Sequence, residues 1–229
     1  TSTASASTIG SKGAIVARWE GFGDPRGLAL GADGRVLYVA DTSTSTVRFL
    51  GPDGAAVGNL RTSLAPVDVA VDPGGDLYVQ SDGAIVWYPA GSASSRQALY
   101  FPGMQGVALS TRHGLYATVA REGARERPAF HGVVRYPWKP ADGIPSAPGG
   151  AAPQWPLRGF PPGRLQRPHA IHVSAAGRIW VVDDWPRLQT FTPDGQPQTQ
   201  LVPQTTMPFA PVDVAEAPDG DLIVGEARR

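Results

Sequence analysis

The chain has 229 residues, no net formal charge and no cysteine. That balance argues against a broad nucleic-acid or anionic-membrane surface, and the missing thiols exclude disulfides and thiolate metal sites. With 28 Gly, 23 Pro and few long helix-favouring runs it reads as an all-β chain, and one domain suits its length.

The opening Thr1-Ser2-Thr3-Ala4-Ser5-Ala6-Ser7-Thr8 is small and polar, as often follows a cleaved export signal. A periplasmic or extracellular protein is therefore expected, a trimmed chain being the other reading. No apolar run approaches the ~18–20 residues of a membrane span, so direct membrane insertion is not expected.

From Asp24 to Gly54 three strand-like runs follow one another: Arg26–Leu30, Arg35–Ala40 and Thr46–Leu50. Val, Leu, Tyr and Phe suit a pleated, half-buried surface, and the Asp33-Gly34 turn supplies the positive φ of a tight hairpin. The pattern then recurs. The first run returns at Ala65–Val71, Gly103–Leu109, Arg167–Val173 and Ala210–Glu216. The second returns at Leu77-Tyr78-Val79, Leu115-Tyr116-Ala117, Ile179-Trp180-Val181 and Leu222-Ile223-Val224. Third runs follow at Ile85–Tyr88, Val133–Tyr136 and Leu188–Phe191.

Five copies of a unit that cannot cover both its faces alone predict a five-bladed β-propeller spanning 1–229 as one domain. The last copy stops after its second strand. Thr1–Thr3 aligns with Thr42–Thr44, and Ser11–Trp19 with Pro52–Leu60. The N-terminal strands are thus expected to complete the C-terminal blade, a strand exchange that removes the open edge. Leu37, Leu77, Leu115, Ile179 and Leu222 lie 40, 38, 64 and 43 residues apart. The excess in the long step falls in the Arg121–Arg127 hairpin and in a Pro/Gly-rich inserted loop at about 137–168, expected as a surface excursion.

The runs Pro25-Arg26-Gly27-Leu28-Ala29-Leu30, Gly34-Arg35-Val36-Leu37-Tyr38-Val39-Ala40-Asp41-Thr42 and Thr46-Val47-Arg48-Phe49 resemble the NHL-repeat family of β-propellers. The resemblance covers nearly the whole chain and is weaker in the third repeat. It implies the fold, but the family includes binding platforms, sensor ectodomains, RNA binders, lactonases and lyases.

Ligands of propellers gather at the axial funnel. After each motif proline stand Arg26, Val67, Gln105, His169 and Val212, followed by Gly27, Asp68, Gly106, Ala170 and Asp213. An axial cluster of Arg26 between Asp68 and Asp213 reads either as an anion or metal pocket or as a charge-neutral plug. Gln105 and His169 complete the axial candidates. The Pro168-His169 segment resembles the one by which peptide-amidating lyases hold zinc, but the equivalent positions in other repeats lack the histidines that set needs. Second strands end in Asp41, Ser81, Val119, Asp183 and Glu226. Asp41, Asp183 and Glu226 read as oxygen ligands for a divalent metal or as turn caps. His113 and His131 are expected at the surface.

The inserted loop and its surroundings carry Tyr136, Trp138, Trp155, Phe160 and Trp185. These serve either as partner anchors on a stiff loop or as cover for the blade beneath. No nucleophile elbow, phosphate loop or zinc-protease motif occurs, and the Arg121–Arg127 run alternates with glutamate, against a nucleic-acid stripe. The expectation is a non-catalytic binding or scaffold propeller engaging a protein partner or larger assembly through its long loop and funnel face. The alternative is a metal-dependent lactonase or lyase using acidic axial residues. The cofactor is unknown; a divalent metal fits, and none is required.

Overall fold

The computed structural model describes residues 4–9, 15–31, 33–123, 129–136, 154–156, 162–184, 187–201, 211–216 and 222–226. Trp138, Phe160 and Trp185 lie outside them. The architecture is almost entirely strand. Four antiparallel sheets have four strands each. The first is built from β3 (Pro25–Leu30), β4 (Leu37–Asp41), β5 (Thr46–Leu50) and β6 (Ala56–Arg61). The second uses β7 (Asp68–Val71), β8 (Leu77–Ser81), β9 (Ala84–Tyr88) and β10 (Gln97–Tyr100). β11 (Met104–Ser110), β12 (Gly114–Arg121), β13 (Phe130–Tyr136) and β14 (Gln154–Pro156) make the third. The fourth comprises β15 (Ala170–Val173), β16 (Ile179–Asp183), β17 (Arg187–Phe191) and β18 (Pro197–Leu201). Two two-stranded sheets pair β1 (Ala4–Ile9) with β2 (Ile15–Phe22), and β19 (Pro211–Glu216) with β20 (Leu222–Glu226).

The register repeats with the sequence. Leu30 faces Leu37 and Leu37 faces Leu50. Val71, Leu77 and Tyr88 repeat the relation, as do Val173, Ile179 and Phe191. Where the sequence shows three strands per repeat, the structure has a fourth, and one of these (β14) lies inside the proline-rich insertion. The insertion is thus part of a sheet and not only a surface excursion. Asp82 and Gly83 join β8 to β9 with φ of 36° and 76°, the positive pair that a two-residue hairpin demands.

Apolar cores lie between successive sheets. Ala40, Val47 and Leu60 of the first sheet pack on Val69, Leu77 and Val79 of the second. Ile85 and Leu99 meet Val107, Leu115 and Tyr136. Tyr116, Val133 and Trp155 meet Ile171, Ile179 and Phe191. Ala170, Val182 and Leu188 meet Val214 of β19. At the other end, Phe22 of β2 packs on Val39 and Leu50. Each sheet therefore covers its neighbour, the way such repeats bury a continuous core. At one position of the inner strands Val69, Val107, Ile171 and Val214 are buried, whereas Leu28, their equivalent on β3, is exposed.

Candidate functional site

The inner strands β3, β7, β11, β15 and β19 carry the predicted axial residues at two successive positions: Arg26 and Gln105, with His169 just before β15, at the first, and Asp68 and Asp213 at the second. Asp68 is buried. Its Oδ1 accepts the Val69 N–H at 2.8 Å and its Oδ2 the Val107 N–H of the next sheet at 2.8 Å. Asp213 repeats the arrangement, accepting the N–H groups of Val214 and of Leu28. The residue before each neighbouring donor is glycine for a reason. A Cβ on Gly27 would overlap Asp68 Oδ1, and one on Gly106 would crowd the His169 carbonyl and Ala170. Each aspartate thus clips its own inner strand to the next.

Two carboxylates near one another and out of water resist joint ionisation. Burial first, and then the charge of Asp213, raise Asp68 well above the ordinary carboxylate range, against the pull of the Val107 and Val69 amides. Burial lifts Asp213 to about 7, against the amides of Val214 and Leu28.

Arg26 does not stand between them. It is exposed (57%) and forks onto Asp24, with Nε 3.1 Å and Nη2 3.1 Å from Asp24 Oδ2. The expected carboxylate–guanidinium–carboxylate cluster is corrected accordingly. Strand alternation aims Arg26 away from the face where Gly27 meets Asp68, and a solvated partner two residues away avoids burying the guanidinium.

Asp41 and Asp183 are buried at the ends of their second strands and do structural work. Asp41 accepts the N–H groups of Gly23 at 3.0 Å and Asp24 at 2.9 Å, and the Ser43 hydroxyl at 3.2 Å. Burial raises its pKa, but these donors outweigh it and hold the carboxyl below the ordinary value. Asp183 accepts the Gln166 N–H at 2.9 Å and is gripped by Arg187, with Nε at 3.1 Å and Nη2 at 3.0 Å. Burial carries the Asp183 pKa above the ordinary value, with Arg187 opposing. Arg187 is itself buried and also donates to the Arg164 carbonyl and to Gln200 Oε1. The side chain of Glu226 lies outside the described residues.

His169 is partly exposed, 3.5 Å from Asp184 Oδ1, and Asp184 also pairs with Arg167 at 3.3 Å. His172 lies opposite Trp180 across the sheet; burial lowers its pKa and Glu216 opposes the shift. His131, expected at the surface, is 1% exposed on β13. Its Nδ1 accepts the Arg167 N–H at 3.2 Å, which leaves the ring proton on Nε2, 3.4 Å from Glu122. Among the described residues no three His, Asp or Glu side chains converge to hold a metal ion.

The described aromatics in and beside the insertion are packed inward. Tyr136 is buried in the core between the second and third sheets. Trp155 is buried against Tyr116 and Phe191, with ring centroids 5.9 Å apart in each case. Of the two roles open to them, both take that of cover: Tyr136 joins the core, and β14 seats Trp155 on the sheet beneath.

Gln105 lines a cleft of about 310 Å³ between the second and third sheets, with Val67, Gln80, Asp82, Tyr100 and Met104 among its walls. Of these Gln80, Asp82 and Tyr100, and Arg187 elsewhere, had no part in the sequence-based site. Gln80 does carry a signal. It stands in register with Ala40, Thr118 and Val182, where the repeats keep small or branched residues.

No protein-family model matches the chain, and no curated protein does. Solved structures do. A streptogramin B lyase structure superposes with a TM-score of 0.58 at 14% identity, covering 88% of this chain and 62% of the other. Virginiamycin B lyase from Staphylococcus aureus gives 0.59 at 15%, covering 97% and 70%. Hydrazine synthase from Kuenenia stuttgartiensis gives 0.62 at 14%, covering 97% and 89%. These are propeller-type proteins, and at such identity the likeness shows a propeller-type fold alone. The chain spans less than two thirds of the length of the first.

Proposed function

We propose that the chain is a five-bladed, NHL-like propeller in which β1–β2 and β19–β20 are two halves of one blade, and that it is an exported binding platform for a protein partner. For the ring, the support is that both halves touch the first sheet: Asp213 of β19 accepts the Leu28 amide, and Phe22 of β2 packs on Val39 and Leu50. For binding over catalysis, the carrying observation is that Asp41, Asp68, Asp183 and Asp213 are each engaged by backbone amides, and Asp183 by Arg187 as well. Each of these carboxylates already spends at least two of its lone pairs on fixed donors of the fold, which ties it to its strand rather than freeing it for a metal or a substrate proton. The partner face of this reading combines Gln105 with the 137–168 insertion, which carries Trp138 and Phe160, and with Trp185 beyond it.

A second reading, a lyase- or lactonase-like enzyme, draws on the lyases among the structural neighbours and on the raised Asp68–Asp213 pair, since perturbed carboxyls concentrate at functional sites. The experiment is affinity capture from the native source with the full chain and with a variant lacking residues 139–150, which spares β14. The platform reading expects a partner lost with the deletion while the melting temperature holds. A stoichiometric divalent metal retained through gel filtration, with a melting temperature that falls on chelation, favours the enzyme instead.

A further inference from the structure

We propose that the cleft between the second and third sheets binds a small donor-rich cation, an alkylammonium or guanidinium group. The cleft, of about 310 Å³, matches the lower range of small-ligand sites. Its walls are fixed by backbone. Gly83 of the tight turn accepts the Phe101 N–H at 2.8 Å, Gln80 accepts the Val67 N–H at 2.8 Å, and Gly103 accepts the Ala120 N–H at 2.8 Å. The site is thus preformed on strand ends and short turns, and binding requires little ordering.

Gln80 is the first pointer to a ligand. It is 1% exposed, and its Nε2 donates to the Met104 carbonyl at 3.1 Å. Its Oε1 is buried with no hydrogen-bond partner. A buried acceptor without a donor is destabilising, and the fold does not need an amide here: Ala40, Thr118 and Val182 fill the equivalent positions.

The other groups set the ligand's chemistry. Asp82, exposed on the rim, contributes a carboxylate for which the described residues offer no ion pair. Tyr100 is 64% exposed and offers a ring face, which attracts cations. Gln105 turns its Nε2 to the Gly103 carbonyl at 3.4 Å, which leaves its Oε1 as an acceptor. No Lys, Arg or His lines the cleft. A wall rich in acceptors, with one negative charge and no positive one, calls for a ligand that brings N–H donors and positive charge together. A neutral sugar brings hydroxyl donors but no charge to pair with Asp82. The site rests on this cleft alone and is independent of the platform reading. The cation is either a free small molecule or the Arg or Lys side chain of a docked protein.

Calorimetric titration of the full chain with butylguanidinium tests this. Saturable binding is expected, weakened at least about tenfold in Asp82→Asn and in Gln80→Met by loss of a charge-assisted contact and of the buried acceptor. Asp53→Asn, in a distant turn, leaves binding unchanged. Asp82 lies on an exposed turn whose positive φ asparagine tolerates, so this variant folds and decides the matter even where Gln80→Met melts early. Absence of saturable binding, equal affinity in Asp82→Asn, or equally tight binding of neutral butanamide or methyl glucoside overturns the proposal. An acetylated Gly-Arg-Gly amide that binds more tightly than butylguanidinium identifies a protein side chain as the source; the reverse order identifies a free cation. Either order upholds the chemistry.

Discussion

The indole of Trp19 lies directly against Gly54, where a Cβ would overlap the ring. The same relation holds between Trp155 and Gly195. Trp155 is on β14, the outer strand of the third sheet, and Gly195 is in the turn between β17 and β18 of the fourth. The parallel supports the proposed strand exchange, in which β2 is the outer strand of the sheet beside the first. Gly54 also has φ of 79°. Gly54→Ala therefore meets both strain and overlap, and is expected to cost about 2–4 kcal/mol. Urea unfolding followed by tryptophan emission measures it. An alanine tolerated at no cost would detach β2 from this position.

Asp213 and Asp68 make stability depend on pH in an unusual direction. Both carboxyls have a folded pKa raised above the unfolded value. The folded state then binds more protons, so stability is greatest below the unfolded value near 4 and is lost as pH rises. For Asp213 the loss is complete above about 7. Asp213→Asn keeps an oxygen for the Leu28 amide and removes the charge. Its urea midpoint should match the wild type near pH 4 and exceed it at pH 8. A wild-type advantage at pH 8 would mean that the Asp213 charge stabilises the folded state.

Asp41 runs the other way. Its folded pKa is lowered, so its contribution is present above the unfolded value and is lost as pH falls through the folded one. Asp41→Ala strips the acceptor from the Gly23 and Asp24 amides and is expected to cost about 1–3 kcal/mol at neutral pH, with the deficit shrinking in acid. A deficit independent of pH would point to packing and not to the carboxylate.

The first three strands of each repeat are legible in the sequence because apolar runs, with a Leu-Tyr-Val-like core in the second, alternate with glycine turns. The outer strands are not. Each needs only one anchor on the inward face: Leu60 faces Val47, Leu99 faces Ile85 and Trp155 faces Val133. One apolar residue in a polar strand has no visible period, and β14 is further hidden among prolines. For the site, alignment put Asp68 and Asp213 at one repeat position, on β7 and β19, the strands that each meet β3. It did not show that glycine faces them, because periodicity identifies a strand but not which of two charged groups a guanidinium prefers. Asp24, two residues from Arg26, was that competitor. His131 was misplaced for a related reason: its acceptor nitrogen serves the amide of Arg167, 36 residues away, a contact that only the assembled sheets create.

Arg187 and Asp183 form a buried pair whose worth is separable from its fragility. The equivalent cross-strand pairs are Asp41 with Thr46 and Ser81 with Ala84, so the fold tolerates neutral residues at this register. Arg187→Ala alone leaves a buried carboxylate with the Gln166 amide and without its guanidinium, takes a donor from Gln200, and leaves the Arg164 carbonyl to Gln189. That variant is expected to lose about 3–5 kcal/mol. Replacing both residues with the pair of the second sheet, Asp183→Ser with Arg187→Ala, removes the stranded charge. The double variant should be more stable than Arg187→Ala, with the coupling energy read from the four urea midpoints of the cycle. If the double variant is instead the least stable, the ion pair itself supplies net stability, and the second sheet's neutral pair is no guide to the fourth.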